Sequence, residues 1–218
     1  MRRALVAAGA ALLLIAPGGA WAQQDPMTFR TAPLDSPICG SRCPEVIVAD
    51  GVIEEDTPQT FIDFTRQIAS SPGLRSVILL NSPGGNVVAS MELGSAFRAL
   101  HVAAIVAGYA SVDGRTGAVS GRCLSACVYA LIGASRRVVP SVSRVGLHRM
   151  SVIEEGAGPD SGRRTLADPS LVAMLAQYTA RMGVDPALIR RAESLTPGVL
   201  HLLSRAEIAR WRLAQPRM

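Results

Sequence analysis

The segment RSVILLNSPGGNVVASMELGSAFRALHVAAIV, residues 75 to 106, decides how this chain folds. Val77 to Leu80 is an unbroken apolar run, the signature of a strand covered on both faces. The turn Ser82-Pro83-Gly84-Gly85 ends it. From Asn86 to Leu100 the apolar residues Leu93, Ala96, Phe97 and Leu100 recur at spacings of three and four, one face of a helix, and Val102 to Val106 returns to strand. Strand, turn, helix and strand in this order predict parallel pairing through a right-handed crossover. The glycine turn then lies at the carboxyl end of a strand, where ligands bind in such sheets.

Working outward, Val46 to Ile53 reads as a strand and Thr57 to Ala69 as a helix with a Thr-Pro start. Downstream, a helix over about Leu124 to Gly133 begins near Ser125, and Arg137 to Val139 and Arg144 to His148 read as short strands. Leu166 to Met182 is an amphipathic helix, and Pro186 to Ser194 is another, with Asp185 as cap and Pro186 at its first position. Ser204-Arg-Ala-Glu207 is a capping box opening a last helix. The fold class expected is α/β with a mainly parallel sheet.

Residues 1–22 carry Arg2 and Arg3, an apolar run and the closing Ala20-Trp21-Ala22, the pattern of a secretory signal peptide. Residues 23–44, rich in Pro and Ser, suggest an extended or poorly ordered arm, and 45–218 a single domain. Export to a periplasmic compartment follows, with no membrane span after cleavage. The formal charge is +5, and +3 without the first 22 residues; the arginines are scattered, so nucleic acid is not an expected partner. The chain contains no lysine, which excludes a Ser–Lys dyad, a Schiff-base lysine and a phosphate-loop lysine.

Three stretches carry chemistry: the Ser82 to Gly85 turn, Gly121-Arg-Cys-Leu-Ser-Ala-Cys127, and Arg144-Val-Gly-Leu-His148. Glycines bare backbone N–H groups to a developing oxyanion, Ser125 attacks, and His148 takes its proton. These are the parts acyl transfer needs. Each is weak alone, since a lone serine is more often packing and a lone histidine more often structural. Ser120 and Ser135 lie near Ser125 but match no motif, and His101 and His201 are less committed to a site.

In this order, with Ser143-Arg144 ahead of His148 and Leu203-Ser204-Arg-Ala-Glu207 near the carboxyl end, the chain resembles the Clp protease proteolytic subunit and its crotonase-like superfamily, from about Val46 to Leu213. The resemblance implies a ClpP/crotonase-like fold of repeated β-β-α or β-α-β units. It implies Ser125 as nucleophile, His148 as base, and the N–H groups of Gly84, Gly85 and Ala126 as oxyanion hole. It implies a peptide or acyl substrate, self-assembly into a homo-oligomer, and no cofactor or metal. An unfolding ATPase partner is not expected outside the cytoplasm. Acyl-CoA enzymes of the same superfamily rank below peptidases, because export removes the chain from CoA.

Two departures stand out. Pro140 is one residue further from Ser143-Arg144 than in the family, and the position of the triad acid falls near Leu200, in Thr196-Pro-Gly-Val-Leu-His201, which contains no carboxylate. A Ser–His dyad or an atypical triad is expected. The other reading is a catalytically silent protein that binds peptides or assembles with itself. Glu193 and Asp185 are the nearest preceding carboxylates, while Asp113, Asp160 and Asp168 lie in or beside loops. Cys39 and Cys43, and Cys123 and Cys127, are disulfide candidates as two local pairs; bridges from the arm to the nucleophile helix and a four-cysteine zinc site are the alternatives. A Cys123–Cys127 bridge requires Cys123 to precede the helix.

Overall fold

The computed structural model describes residues 25–34, 43–71, 73–154 and 163–214. The first half contains β1 (Thr28–Pro33), β2 (Glu45–Asp50), α1 (Thr57–Ile68), β3 (Leu74–Asn81), α2 (Val87–Ala99), β4 (Ala103–Val112) and β5 (Arg115–Ser120). The second contains β6 (Arg122–Leu124), α3 (Cys127–Gly133), β7 (Arg136–Val138), β8 (Arg144–Leu147), β9 (Ser151–Glu154) and β10 (Arg163–Leu166). It closes with α4 (Pro169–Arg181), α5 (Ala187–Glu193), β11 (His201–Leu202) and α6 (Arg205–Arg210).

The strand expected from the apolar run is β3, parallel to β2 on one side and β4 on the other; Ile78 sits opposite Ile47 and Ala104, and Leu80 opposite Ala49 and Val106. Successive side chains face opposite ways. Ile78 and Leu80 join the large core with Phe61 and Phe97, while Leu79 packs with Val46, Val48 and Ala107 on the other face, and all three β3 residues are fully buried. Phe61 of α1 and Phe97 of α2 meet edge to face at 4.9 Å, which fixes both helices on that side. Arg137 of β7 is half-buried; its guanidinium donates to the carbonyls of Ile132, Ala134 and Leu213, tying the sheet to the carboxyl end.

The sheet is mainly parallel, in the order β1-β2-β3-β4-β5, with β7 also parallel to β4. A separate sheet of β11, β8 and β6 stands at the carboxyl ends of these strands, joined to β3 through a bridge between Ser82 and Cys123.

Several stretches differ from the sequence expectation: Leu124 ends a short strand, β6, ahead of α3, and the helix expected from Leu166 begins at Pro169. Within the segment read as an arm, Thr28–Pro33 forms β1 and pairs antiparallel with β2. The strand expected to stop at Val106 runs on to Val112 and turns back into β5. Asp113 and Gly114 adopt φ of +51° and +76° there, the two left-handed residues of a tight hairpin. Ser151–Glu154 and Arg163–Leu166 form a second hairpin, β9 and β10, in a region that carries no clear sequence pattern.

Helix starts follow local chemistry. Asn86 Oδ1 accepts the Ala89 N–H at 3.0 Å and Asp168 Oδ1 the Ser170 N–H at 2.7 Å. At α6 the capping box is complete: Ser204 Oγ accepts the Glu207 N–H at 3.2 Å, and Glu207 Oε2 accepts the Ser204 N–H at 2.8 Å. Glu207 Oε1 also meets His201 Nε2 at 2.8 Å, tying α6 to β11. Partial burial pushes the Glu207 carboxyl up, but the bonds from Ser204 and His201 outweigh it and hold it at about 2.

A carboxyl with a lowered folded-state value adds stability above its ordinary range and loses it as pH falls towards that value. Glu207→Gln is therefore expected to lower stability at pH 7 by on the order of 2 kcal/mol, with the difference shrinking to nothing between about pH 4.5 and 2. Urea unfolding midpoints across that range check it; a difference independent of pH contradicts it.

Candidate active site

The site is assembled where β3, β6 and β8 end. Ser82 is fully buried beyond β3; its backbone N–H donates to the Arg122 carbonyl at 2.8 Å and its carbonyl accepts the Leu124 N–H at 3.1 Å. These bonds lay the glycine turn against β6. Gly84 and Gly85 have φ of +114° and +140°. A Cβ on Gly84 would stand 2.8 Å from the Ser125 Cβ, and one on Gly85 would stand 2.0 Å from the Ile53 carbonyl oxygen. Only glycine permits the conformation and the approach at both positions.

Ser125 occupies the turn between β6 and α3 with φ of +54°, a left-handed value rare for a residue with a side chain. Its N–H donates to the Gly146 carbonyl of β8 at 2.8 Å. The sequence lacks a Gly-x-Ser-x-Gly pattern, yet the local geometry is the same strand, sharp turn and helix that such a motif serves. Cys123 and Cys127 flank the turn, are fully buried and are bonded to each other, with Cα atoms 5.2 Å apart. The bridge is possible because Cys123 lies in β6 and not in the helix.

His148 follows β8 directly. Its Nε2 lies 2.6 Å from Ser125 Oγ, and its Nδ1 lies 2.7 Å from the Arg149 carbonyl oxygen. A carbonyl only accepts, so Nδ1 carries the proton and Nε2 presents its lone pair to the serine hydroxyl. The structure thus places a main-chain carbonyl on the ring nitrogen that faces away from Ser125. Leu200, at the position read as that of the missing acid, is 43% exposed and precedes β11.

The other carboxylates are placed as follows. Asp168 caps α4, Asp185 accepts the Ala187 N–H at 2.8 Å, and Asp113 sits in the hairpin turn; Asp160 lies outside the described residues. Glu193 is closer to the site. Its Oε1 accepts the Met150 N–H at 3.1 Å, and its Oε2 is 3.8 Å from Arg149 Nε.

The backbone N–H groups of Gly85 and Ala126 have no acceptor among the described residues. The third expected donor, Gly84, is engaged: its N–H donates to Ser82 Oγ at 3.1 Å. A cavity of about 190 Å³ opens here, lined by Gly85, Val87, Ser125, Tyr129, His148 and Met150 among others. Burial pushes the Tyr129 phenol up, and the Glu193 charge adds to this, so Tyr129 stays neutral in the cavity wall. A larger cavity of about 500 Å³, between Pro140 and α6, is lined by neither Ser125 nor His148.

Tyr129 and the 149–150 peptide escape sequence reading. Tyr129 falls one helical turn after Ser125, a spacing that could have been read; a main-chain carbonyl leaves no trace in residue type. Cys43 is disulfide-bonded, and the expectation for Cys39 lies outside the described residues, as does that for residues 1–22. Among the described residues no cluster of three or more His, Cys, Asp or Glu is placed to hold a metal, and no helix is long and apolar enough to cross a membrane.

No family model and no curated protein matches the chain. Solved structures do. The chain is similar to a serine-to-alanine variant of the 1510-N membrane-bound stomatin-specific protease, with a TM-score of 0.53, 16% identity, and coverage of 77% of this chain and 75% of that one. It is similar to a lysine-to-alanine variant of that protease in complex with a substrate peptide, with a TM-score of 0.54, 16% identity, and coverage of 77% and 71%. At this identity the likeness concerns the fold. The parallel sheet, its crossover helices and these neighbours give the chain a ClpP/crotonase-like α/β fold.

Proposed function

We propose that this chain is an exported serine hydrolase acting on peptides, with Ser125 as nucleophile and His148 as general base. The observation that carries the reading is the 2.6 Å contact between Ser125 Oγ and a histidine nitrogen whose partner across the ring fixes the tautomer. The hydroxyl proton passes to Nε2 as Oγ bonds to a substrate carbonyl carbon. The carbonyl electron pair moves to oxygen, facing the N–H groups of Gly85 and Ala126. The imidazolium then returns its proton to the leaving amine, and water repeats the sequence to free the acyl group.

The strained φ at Ser125 supports this role, because a turn held in a sparsely populated conformation persists only where its surroundings impose it. Peptides are favoured by the apolar wall of Val87, Tyr129 and Met150 beside the serine, and by the fold shared with a protease solved with a substrate peptide. Export rests on the pattern of residues 1–22 and agrees with the Cys123–Cys127 bond, since disulfides persist in oxidising compartments. Self-assembly rests on the family resemblance. Without lysine, the chain has no route to a Ser–Lys mechanism, which leaves His148 as the base within reach of Ser125.

A fluorophosphonate is expected to modify Ser125, as located by peptide mass mapping. Ser125→Ala is expected to abolish the label and any peptide hydrolysis with folding intact. His148→Ala is expected to slow labelling by about a hundredfold or more, the scale of a lost general base. A protein whose Ser125 stays unmodified while the fold is intact contradicts the hydrolase reading and supports the silent peptide binder.

Replacing Cys123 and Cys127 together by alanine tests the clamp. The bridge closes a loop too short to remove much chain entropy, so the expected loss is a few degrees in Tm, with a drop of about tenfold in labelling rate as Ser125 loses its fixed turn. Unchanged labelling contradicts a positioning role for the bridge.

A further inference from the structure

Resting on the hydrolase reading, we infer that Glu193 takes the part of the absent triad acid by acting on His148 through one peptide plane. The Arg149 carbonyl, which accepts from His148 Nδ1 at 2.7 Å, and the Met150 N–H, which donates to Glu193 Oε1 at 3.1 Å, belong to the same peptide group. That group is planar, so holding its N–H fixes the direction of its C=O. The carboxylate also draws positive charge towards the N–H and leaves the carbonyl oxygen a stronger acceptor, the mutual polarisation of bonds in a chain. The sequence of contacts is carboxylate, peptide, imidazole and hydroxyl, where a triad has carboxylate, imidazole and hydroxyl.

Three observations point the same way. Glu193 is the last residue of α5, where the helix dipole disfavours a carboxylate, so its placement breaks a local rule. Its side chain is only 20% exposed, and the residue whose N–H it accepts, Met150, lines the cavity. It also faces the Arg149 guanidinium at 3.8 Å, which adds a second hold on the residue that supplies the carbonyl. Arg149 compensates the carboxylate without a hydrogen bond at Nε, so the short contact of Glu193 is kept for the peptide N–H. Glu193 contacts Met150 and Arg149 and not Ser125, and is a positioning residue.

The test compares Glu193→Ala with Glu193→Gln in the full-length protein. Glutamine still offers an oxygen to the Met150 N–H, and alanine does not. The tautomer of His148, read from side-chain nitrogen resonances of protein labelled with ¹⁵N-histidine, is expected to be the Nδ1–H form in the wild type and in Glu193→Gln. In Glu193→Ala it becomes a mixture, and the rate of fluorophosphonate labelling falls about tenfold, with glutamine restoring it to within about threefold of the wild type. If Glu193→Ala does not fold, Glu193→Asp, one methylene shorter, replaces it with the same expectation.

An unchanged tautomer in the shortened variant, or a glutamine variant as impaired as the shortened one, overturns the inference. A wild type that shows the expected tautomer change on mutation but does not react with the probe refutes the hydrolase reading alone.

Discussion

The hydrogen bond from the Ser125 N–H to the Gly146 carbonyl, 2.8 Å long, joins the turn before α3 to β8 and so brings the two halves of the site together. Ser125 reaches the end of β8 only because its own φ is +54° and because the glycine turn leaves room for its Cβ. The bond sets the distance between the two strands' ends, and His148 begins one residue beyond β8. Serine and histidine therefore meet through main-chain geometry, with the Cys123–Cys127 bridge holding the turn from behind.

The same main-chain dependence extends around the ring of His148. A carboxylate beside Nδ1 would orient the imidazole and offset its positive charge in one contact. Here the orienting contact is a carbonyl, and a carboxylate, that of Glu193, stands one peptide further out. A neutral acceptor fixes the tautomer but offsets less charge, so the account implies a slower nucleophile than a direct triad gives, in exchange for a site that needs no acid at Leu200. A buried, neutral Tyr129 lines the same cavity as His148 and Met150.

Much of this was legible in the residues. The apolar run Val77 to Leu80 and the spacing of Leu93, Ala96, Phe97 and Leu100 specify β3 and α2 because burial on both faces and a helical stripe leave periodic traces. Gly84-Gly85, Ser125 and His148 mark a candidate site through their residue types. What was hidden has physical causes. β1 and the β9–β10 hairpin are short edge pairings whose side chains are too mixed to show alternation. The β4–β5 hairpin did carry a signal, Asp113-Gly114, masked by the apolar strand before it. The carbonyl of Arg149 is common to every residue type, and Glu193 reaches the site from 43 positions away through a contact no local pattern encodes.

The claim that joins these parts is that Ser125, His148 and two free backbone donors form one acyl-transfer centre. A crystal structure of the protein after reaction with a fluorophosphonate tests it most directly. The expected adduct has phosphorus bonded to Ser125 Oγ, with its non-ester oxygen about 2.7–3.1 Å from the N–H nitrogens of both Gly85 and Ala126. An adduct on Ser125 whose oxygen faces away from both donors, or an adduct on another residue, contradicts it.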